Sequence, residues 1–94
     1  MHCENVNISR HALNKALERN IDLKDAFEVV KSGIIITQYL DTKPHPCYLI
    51  LGFVEGQPLH VVVAKDAFEE ECWLITVYIP DPSIWTEDFK NKKK

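Results

Sequence analysis

The feature that most constrains the fold of this 94-residue chain is a change of hydrophobic period at Gly33. Before Gly33 the apolar residues recur every three or four positions, which is typical of helices that bury one side. After it the chain is rich in short runs of β-branched and aromatic residues separated by turn-forming residues, which favours strands. Helices followed by a series of strands predict an α+β domain.

Two short helices are predicted before the change of period. Ser9 is a good N-cap for the first, which is expected to stop at Asn20, a residue that tolerates left-handed backbone. Asp22 is the predicted N-cap of the second helix, which ends before Gly33. The apolar residues of the first helix that are predicted to face the core are Ala12, Leu13, Ala16 and Leu17.

Four strands are predicted after Gly33, with the sequences IIITQYL, CYLILGFV, LHVVVA and CWLITVYI. Their short links favour an antiparallel meander, and two leading helices can cover only one of its faces. We therefore expect residues 1–89 to form one α+β domain. It has two N-terminal helices on one face of a four-stranded antiparallel sheet, followed by a short C-terminal segment. Residues 90–94 are expected to be a disordered, lysine-rich tail.

Charge and cysteine usage limit the environment and the partners of the chain. No apolar run is long enough to span a membrane, and the first residues lack the order of a secretion signal, so a cytoplasmic protein without membrane contact is expected. The three cysteines, Cys3, Cys47 and Cys72, are odd in number and widely spaced, which predicts reduced thiols.

The formal net charge is -3, and the residues before Lys90 hold seven basic against fourteen acidic side chains. Such a body repels nucleic acid, so RNA binding needs a local cationic patch.

The first predicted helix carries a cationic stripe beside its apolar side. His11, Lys15 and Arg19 recur every four residues and therefore project from one flank of the helix. Arginine offers a bidentate fork and lysine a point charge, which suits them to a phosphate or a carboxylate. The alternative is a solvated helix face on which Glu18 pairs with a neighbouring cation.

The last two predicted strands place a histidine and a phenol within reach of one substrate. Alternation puts His60 and Tyr78 on the less covered face, together with Leu74 and Thr76. His60 titrates near neutral pH and is the natural general acid or base, although a hydrogen-bonded packing histidine is the alternative. The residues of the last strand assigned to the helix-covered face are Trp73, Ile75, Val77 and Ile79.

No motif for a metal or a cofactor is present, and none is expected to be bound. The pairs His2 with Cys3 and His45 with Cys47 resemble metal ligands only loosely, because no further Cys or His spacing completes a zinc site. A glycine-rich phosphate loop and a nucleophile elbow are also missing.

Three stretches of the chain carry a resemblance to a known family. They are SRHALNKALERNIDLKDAFEVVKSGIIITQY, PHPCYLILGFVEGQPLHVVVA and LITVYIPDPSIW. Their marks are S-x-H-A at the first helix, E-R before the second, P-L-H-V-V-V-A, and I-T-V-Y-x-P-D. Over roughly residues 8 to 87 the chain resembles a family of small bacterial proteins known only as domain of unknown function four-two-five-eight.

The resemblance implies a fold shared with RelE- and BrnT-type toxins and, for many members, an antitoxin-like protein encoded nearby. It implies a toxin-type, metal-independent endoribonuclease with RNA as its substrate. Lys15 stands where arginine is commoner in the family. Lysine keeps the positive charge but lacks the bidentate fork of arginine. The recurrent polar positions of the family fall on His11, Lys15, Arg19, Tyr39, His60 and Tyr78.

Combining both arguments, we expect catalysis by proton transfer and charge stabilisation. In this hypothesis His60 is the acid or base, Lys15 and Arg19 stabilise the phosphorane, His11 assists proton transfer, and Tyr78 orients the phosphate or stacks on a base. The rival is a non-catalytic module that binds an antitoxin-like protein through its open sheet face or an exposed edge. A monomer and a homodimer both stay open, and a small-molecule enzyme has no support beyond the same histidines.

Overall fold

A computed structural model describes all 94 residues, from Met1 to Lys94, as one five-stranded sheet with two helices. The elements in chain order are β1 (Asn5–Ile8), α1 (Arg10–Glu18), α2 (Leu23–Ser32), β2 (Ile34–Tyr39), β3 (Cys47–Val54), β4 (Gln57–Lys65) and β5 (Glu71–Tyr78). Neither helix is long and apolar enough to cross a membrane.

The order of the strands across the sheet is β1-β5-β4-β3-β2. Strands β2 to β5 form the predicted antiparallel meander, whereas β1 pairs with β5 in parallel. The α+β class is therefore confirmed, and the predicted count of four strands is wrong. The missing strand, β1, is only four residues long and pairs with a segment far away in sequence, so no local pattern marks it.

Both helices begin at the predicted caps and lie on the same face of the sheet. The side chains of Ser9 and Asp22 accept backbone hydrogen bonds in the first turns of α1 and α2. The chain leaves α1 through Asn20, whose φ of 55° is left-handed as predicted. Helix α1 packs on β5, and α2 packs on β3 and β4.

The core lies between the two helices and the sheet. In α1 only the two alanines are buried, while Leu13 and Leu17 are 41% and 73% exposed, so the prediction that these leucines face the core is wrong. Alanine side chains at an interval of four define the line of contact with β5, and the leucines lie on the flank beyond it. The buried cluster consists of Ala12, Ala16, Ala26, Val29, Val30, Ile50, Leu59, Val61, Val63, Cys72, Leu74 and Val77.

A β-bulge in β5 changes which of its residues share a face. The ladder between β4 and β5 skips Ile75, and beyond the skipped residue the alternation inverts. Leu74 is consequently buried in the core, and Trp73 lies opposite Ala64 on the face away from the helices. The prediction that Trp73 faces the helices and Leu74 the open face is wrong for this reason. Tyr78, on the other side of the bulge, keeps its predicted face.

The residues after β5 fold back over the face that the helices leave uncovered. We call residues 80–93 the C-terminal strap. Trp85 is buried, and the strap closes on itself where Trp85 bridges to Lys92 and the Lys93 N–H donates to the Ile84 carbonyl at 2.7 Å. The lysine-rich end therefore supplies the return half of the strap. The division into a domain of residues 1–89 and a disordered tail stays a prediction.

A disulfide joins Cys3 to Cys72. The parallel pairing of β1 with β5 places Val6 opposite Cys72 and thereby brings the N-terminal residues alongside β5. The prediction of three reduced thiols is wrong for this pair, because the spacing of the cysteines could not reveal a pairing between residues that are 69 positions apart. Cys47 is free and half-buried.

Candidate functional site

The edge of β5 that faces β1 is only partly covered by that strand. Strand β1 pairs with residues 71–74 and leaves the later part of β5 without a neighbour on that side. The Ser9 hydroxyl donates to the Ile75 carbonyl at 3.2 Å, and Arg19 Nη1 donates to the Val77 carbonyl at 2.8 Å. The two ends of α1 thus satisfy this edge. A guanidinium has five N–H donors, so this single hydrogen bond anchors Arg19 while leaving donors for a ligand.

An open cleft of about 530 Å³ lies at this edge of the sheet. It combines a cation from the end of α1, a phenol from β5, and an indole and a carboxylate from the C-terminal strap. Pockets of this volume accommodate small ligands such as a nucleotide. The lining residues are Arg19, Tyr78, Ile79, Asp81, Ile84 and Trp85.

His60 is completely buried directly behind the walls of this cleft. Its Nδ1 lies 3.1 Å from the Tyr78 hydroxyl, and its Nε2 lies 2.8 Å from the Phe89 carbonyl oxygen. A carbonyl can only accept, so Nε2 carries the proton, and in the neutral ring Nδ1 accepts from Tyr78. The imidazole also stands edge-on to the indole of Trp85, with ring centroids 4.4 Å apart. His60 is therefore fully hydrogen-bonded and does not itself line the cleft.

The protonation states of the two hydrogen-bonded side chains follow from their burial. Burial lowers the pKa of His60, and the hydrogen bond to the Phe89 carbonyl opposes this effect. Burial raises the pKa of Tyr78, with the charge of Arg19 acting in the opposite direction. Near neutral pH the pair is thus a protonated phenol that donates to a neutral imidazole. A proton taken up by the phenol oxygen could be relayed to His60.

Asp81 adds a negative charge to the wall of the same cleft. Its carboxylate accepts hydrogen bonds from the backbone N–H and the hydroxyl of Ser83, both at 2.8 Å. These hydrogen bonds lower the pKa of Asp81, so the group is ionised at neutral pH. Asp81 opposes the binding of an anion, and only Arg19 among the lining residues offers a compensating charge.

The structure brings three of the five predicted site residues together. Arg19 and Tyr78 line the cleft, and His60 contacts Tyr78 from behind. Lys15 pairs with Glu18 at 3.2 Å and His11 is exposed, and neither lines the cleft. They lie about 6 Å and 12 Å before Arg19 along the helix axis.

The part of the site that sequence reasoning missed comes from the C-terminal strap. Trp85, Asp81 and the Phe89 carbonyl form the outer wall of the cleft and the cover over His60. Two signals in the sequence pointed to the strap: Pro80 and Pro82 indicate where β5 ends, and Trp85 after them predicts a segment pinned to the body of the domain. Prolines mark the end of a strand, but they do not say over which face the chain continues.

Another group of side chains could coordinate a cation, at the opposite end of β5. The ligand atoms of His2, Glu4 and Glu70 lie within 4.8 Å of one another. The His2 Nε2 atom is 3.4 Å from a carboxylate oxygen of each glutamate, which are the distances of exposed ion pairs. Such contacts are common on protein surfaces without a metal, and nothing connects this group to the cleft.

Comparison with known proteins identifies a family. The model of the family described as Domain of unknown function (DUF4258) matches residues 8–79, a range that contains Arg19, His60 and Tyr78 and stops before the C-terminal strap. No curated protein and no solved structure matches the chain. Because the family model covers most of its length, the chain belongs to the family described as Domain of unknown function (DUF4258).

Proposed function

We propose that the protein is a toxin-type, metal-independent endoribonuclease related to the RelE- and BrnT-type toxins, and that the cleft of Arg19 and Tyr78 is its active site. One arrangement supports this proposal. A guanidinium with free donors and a phenol backed by a neutral imidazole meet at one open cleft. Cleavage of RNA without a metal requires a cation for the charge of the phosphorane and an acceptor for the proton of the attacking hydroxyl.

The reaction begins when the 2′-hydroxyl of RNA attacks the adjacent phosphorus. The Tyr78 oxygen accepts the 2′ proton and passes its own proton to His60 Nδ1, which forms an imidazolium whose Nε2–H still donates to Phe89. Arg19 binds the phosphoryl oxygens as negative charge develops on them. The bond to the 5′ oxygen breaks, and that oxygen takes a proton from water, which the open cleft admits. The products are a 2′,3′-cyclic phosphate and a 5′-hydroxyl, and His60 returns its proton to solvent through Tyr78.

This mechanism revises the roles that the sequence suggests for His60 and Tyr78 and for the two helix residues Lys15 and His11. His60 acts on RNA through Tyr78 instead of touching the substrate, because it is completely buried. Lys15 and His11 contact phosphates on one side of the scissile bond, since they precede Arg19 along the same flank of α1. The exposed pairing of Lys15 with Glu18 is a weak competitor, because surface ion pairs contribute only about 0–1 kcal/mol.

The test is cleavage of a mixed RNA in the presence of EDTA, with the termini of the products identified. Arg19→Gln should lower the rate about 100-fold or more, and Tyr78→Phe about 100- to 10,000-fold. Lys24→Gln, which removes an exposed cation of α2 outside the cleft, is the matched control and should cleave like the wild type. Equal cleavage by all four proteins, or no cleavage by the wild type, would refute the proposal. Melting temperatures show whether each variant folds.

A second candidate function, binding of an antitoxin-like protein without catalysis, is favoured by the exposed edge of β2. Ile34, Ile35 and Tyr39 are 49%, 42% and 43% exposed, and β2 contains no charged residue that would discourage a further strand. A strand of a partner could extend the sheet there, and the acidic body suits a basic partner.

The edge is tested by co-expression with the antitoxin-like product of a neighbouring gene. Ile35→Lys should prevent co-purification while RNA cleavage is unchanged. Leu40→Lys, at an apolar residue just beyond the strand that is 65% exposed against 42% for Ile35, is the control. Co-purification by Ile35→Lys at the wild-type level would exclude the β2 edge. A complex combined with no RNA cleavage by the free wild-type protein would favour the binding module over the ribonuclease.

A further inference from the structure

The sheet face away from the helices holds a second concave site, near the other end of β5. It has a volume of about 340 Å³ and almost entirely apolar walls. The rings of His45 and Trp73 lie stacked in it, with centroids 4.9 Å apart and planes inclined by 6°. Both side chains are half-buried, so part of each ring is accessible. The lining residues are Ser9, Pro44, His45, Ala64, Trp73 and Ile75.

The bulge in β5 and the loop before β3 build this pocket. The bulge at Ile75 turns Trp73 onto this face, directly opposite Ala64, whose small side chain leaves room beside the indole. His45 comes from the loop between β2 and β3. The Thr42 hydroxyl braces that loop, because it lies 2.8 Å from the His45 carbonyl and 2.9 Å from the Tyr39 carbonyl. The second ring of the stack is thus held in place by the loop.

We propose that this pocket binds a nucleobase of single-stranded RNA by stacking on Trp73, with His45 as an adjacent ring. The inference rests on the proposed ribonuclease function and adds a subsite to it. Bases of single-stranded RNA stack on aromatic side chains, and every base offers a π-face. An apolar pocket beside a half-buried indole matches this chemistry, and its volume exceeds that of a single base.

The register of the sheet connects this pocket to the cleft. Tyr78 lies opposite His60 and Trp73 lies opposite Ala64, so both aromatic residues of β5 are on the same face. The four residues that separate His60 from Ala64 along β4 correspond to roughly 13 Å. That distance spans about four nucleotides at the 3.4 Å spacing of stacked bases, and fewer when the strand is extended. Thr76, between the two sites, is only half-buried, so the path is accessible.

The two ends of this path differ in charge. The cleft contains Arg19, whereas no side chain with a permanent charge lines the pocket of Trp73. Binding at Arg19 should therefore weaken as salt rises, because phosphate contacts release counterions. The contribution of Trp73 should be nearly independent of salt. This difference separates a stacking subsite from a further phosphate contact.

The test measures the binding of fluorescein-labelled 2′-O-methyl oligoadenylates, which cannot be cleaved, in lengths of two and eight nucleotides. Trp73→Leu should weaken binding of the eight-nucleotide strand roughly 5- to 150-fold without changing its salt dependence. It should leave binding of the dinucleotide unchanged, because the dinucleotide is too short to reach from the cleft to the pocket. Phe68→Leu, at an aromatic residue that is 98% exposed outside the pocket, is the control and should bind like the wild type. His45→Ala provides a second variant if Trp73→Leu does not fold, and it should weaken the longer strand in the same way.

The outcomes distinguish this subsite from the ribonuclease function. Equal binding of the eight-nucleotide strand by wild type, Trp73→Leu and His45→Ala overturns the subsite, and cleavage that still depends on Arg19 would leave the ribonuclease proposal standing. Adenosine monophosphate that binds as tightly as the long strand, with the same loss in Trp73→Leu, would assign the pocket to a free nucleotide and overturn the RNA path. Length-dependent binding through Trp73 without cleavage by the wild type would support the subsite and refute the ribonuclease.

Discussion

Replacing Tyr78 with phenylalanine tests the hydrogen bond that joins the wall of the cleft to the buried imidazole of His60. The substitution removes one oxygen atom and keeps the ring. The hydroxyl lies 3.1 Å from His60 Nδ1, and the imidazole is 0% exposed. Tyr78→Phe therefore leaves the buried Nδ1 of His60 without its protein partner.

The expected cost follows from that loss. Leaving a buried acceptor unsatisfied costs about 1–3 kcal/mol of the free energy of unfolding. For a domain of this size each kcal/mol lowers the melting temperature by about 4–8 °C. In a His60→Leu background the partner is already absent, so Tyr78→Phe should cost less there. The difference, a coupling energy of about 0.5–3 kcal/mol, measures the contact itself.

Urea unfolding at pH 7.5, followed by circular dichroism, gives these free energies from a linear extrapolation. Tyr39→Phe is the matched control, because Tyr39 is 43% exposed on the edge strand β2. Its cost should stay within about 0.5 kcal/mol. A Tyr78→Phe variant as stable as Tyr39→Phe, or a coupling energy near zero, would show that the Tyr78 hydroxyl does not hydrogen-bond His60. Either result would also refute the proton relay to His60.

Three further results are expected. Burial lowers the pKa of His60 below its usual 6.5, so the unfolded chain binds more protons than the folded one as the pH falls. The free energy of unfolding should therefore fall as the pH decreases below about 6.5. Urea unfolding from pH 8 to pH 5 should show this decline, and His60→Leu should flatten it. Cys3→Ser removes the disulfide that closes a loop of 69 residues and should cost roughly 2–4 kcal/mol in the same assay without reductant, whereas Cys47→Ser should be nearly neutral. Asp81→Asn removes a negative charge from the cleft and should tighten binding of the labelled eight-nucleotide strand, most strongly at low salt. Asp88→Asn, outside the cleft, should leave the affinity unchanged. Equal affinities of the two variants would show that Asp81 is not part of the binding site.

The binding site shows how far residue spacing could lead. Arg19, His60 and Tyr78 were singled out from the sequence, and the structure brings these three together. The interval of four residues groups Lys15 and His11 with Arg19, but a helical period says only that residues share a flank. The position of Arg19 at the C-cap lets it reach around the edge of β5 to the Val77 carbonyl, and the residues one and two turns earlier lie too far back along the axis to line the same cleft.

What the sequence determined by itself was the class of the fold and most of its elements. The caps at Ser9 and Asp22, the left-handed Asn20 and the bounds of β3 all follow from local chemistry, because each depends on residues within one turn or one strand. The tertiary structure decided the parallel pairing of β1, the disulfide, the inverted face beyond the bulge at Ile75 and the strap that seals His60. Each of these joins segments that are distant along the chain or shifts a register by one residue. Their free energy comes from contacts that exist only after the sheet has assembled, so no local pattern records them.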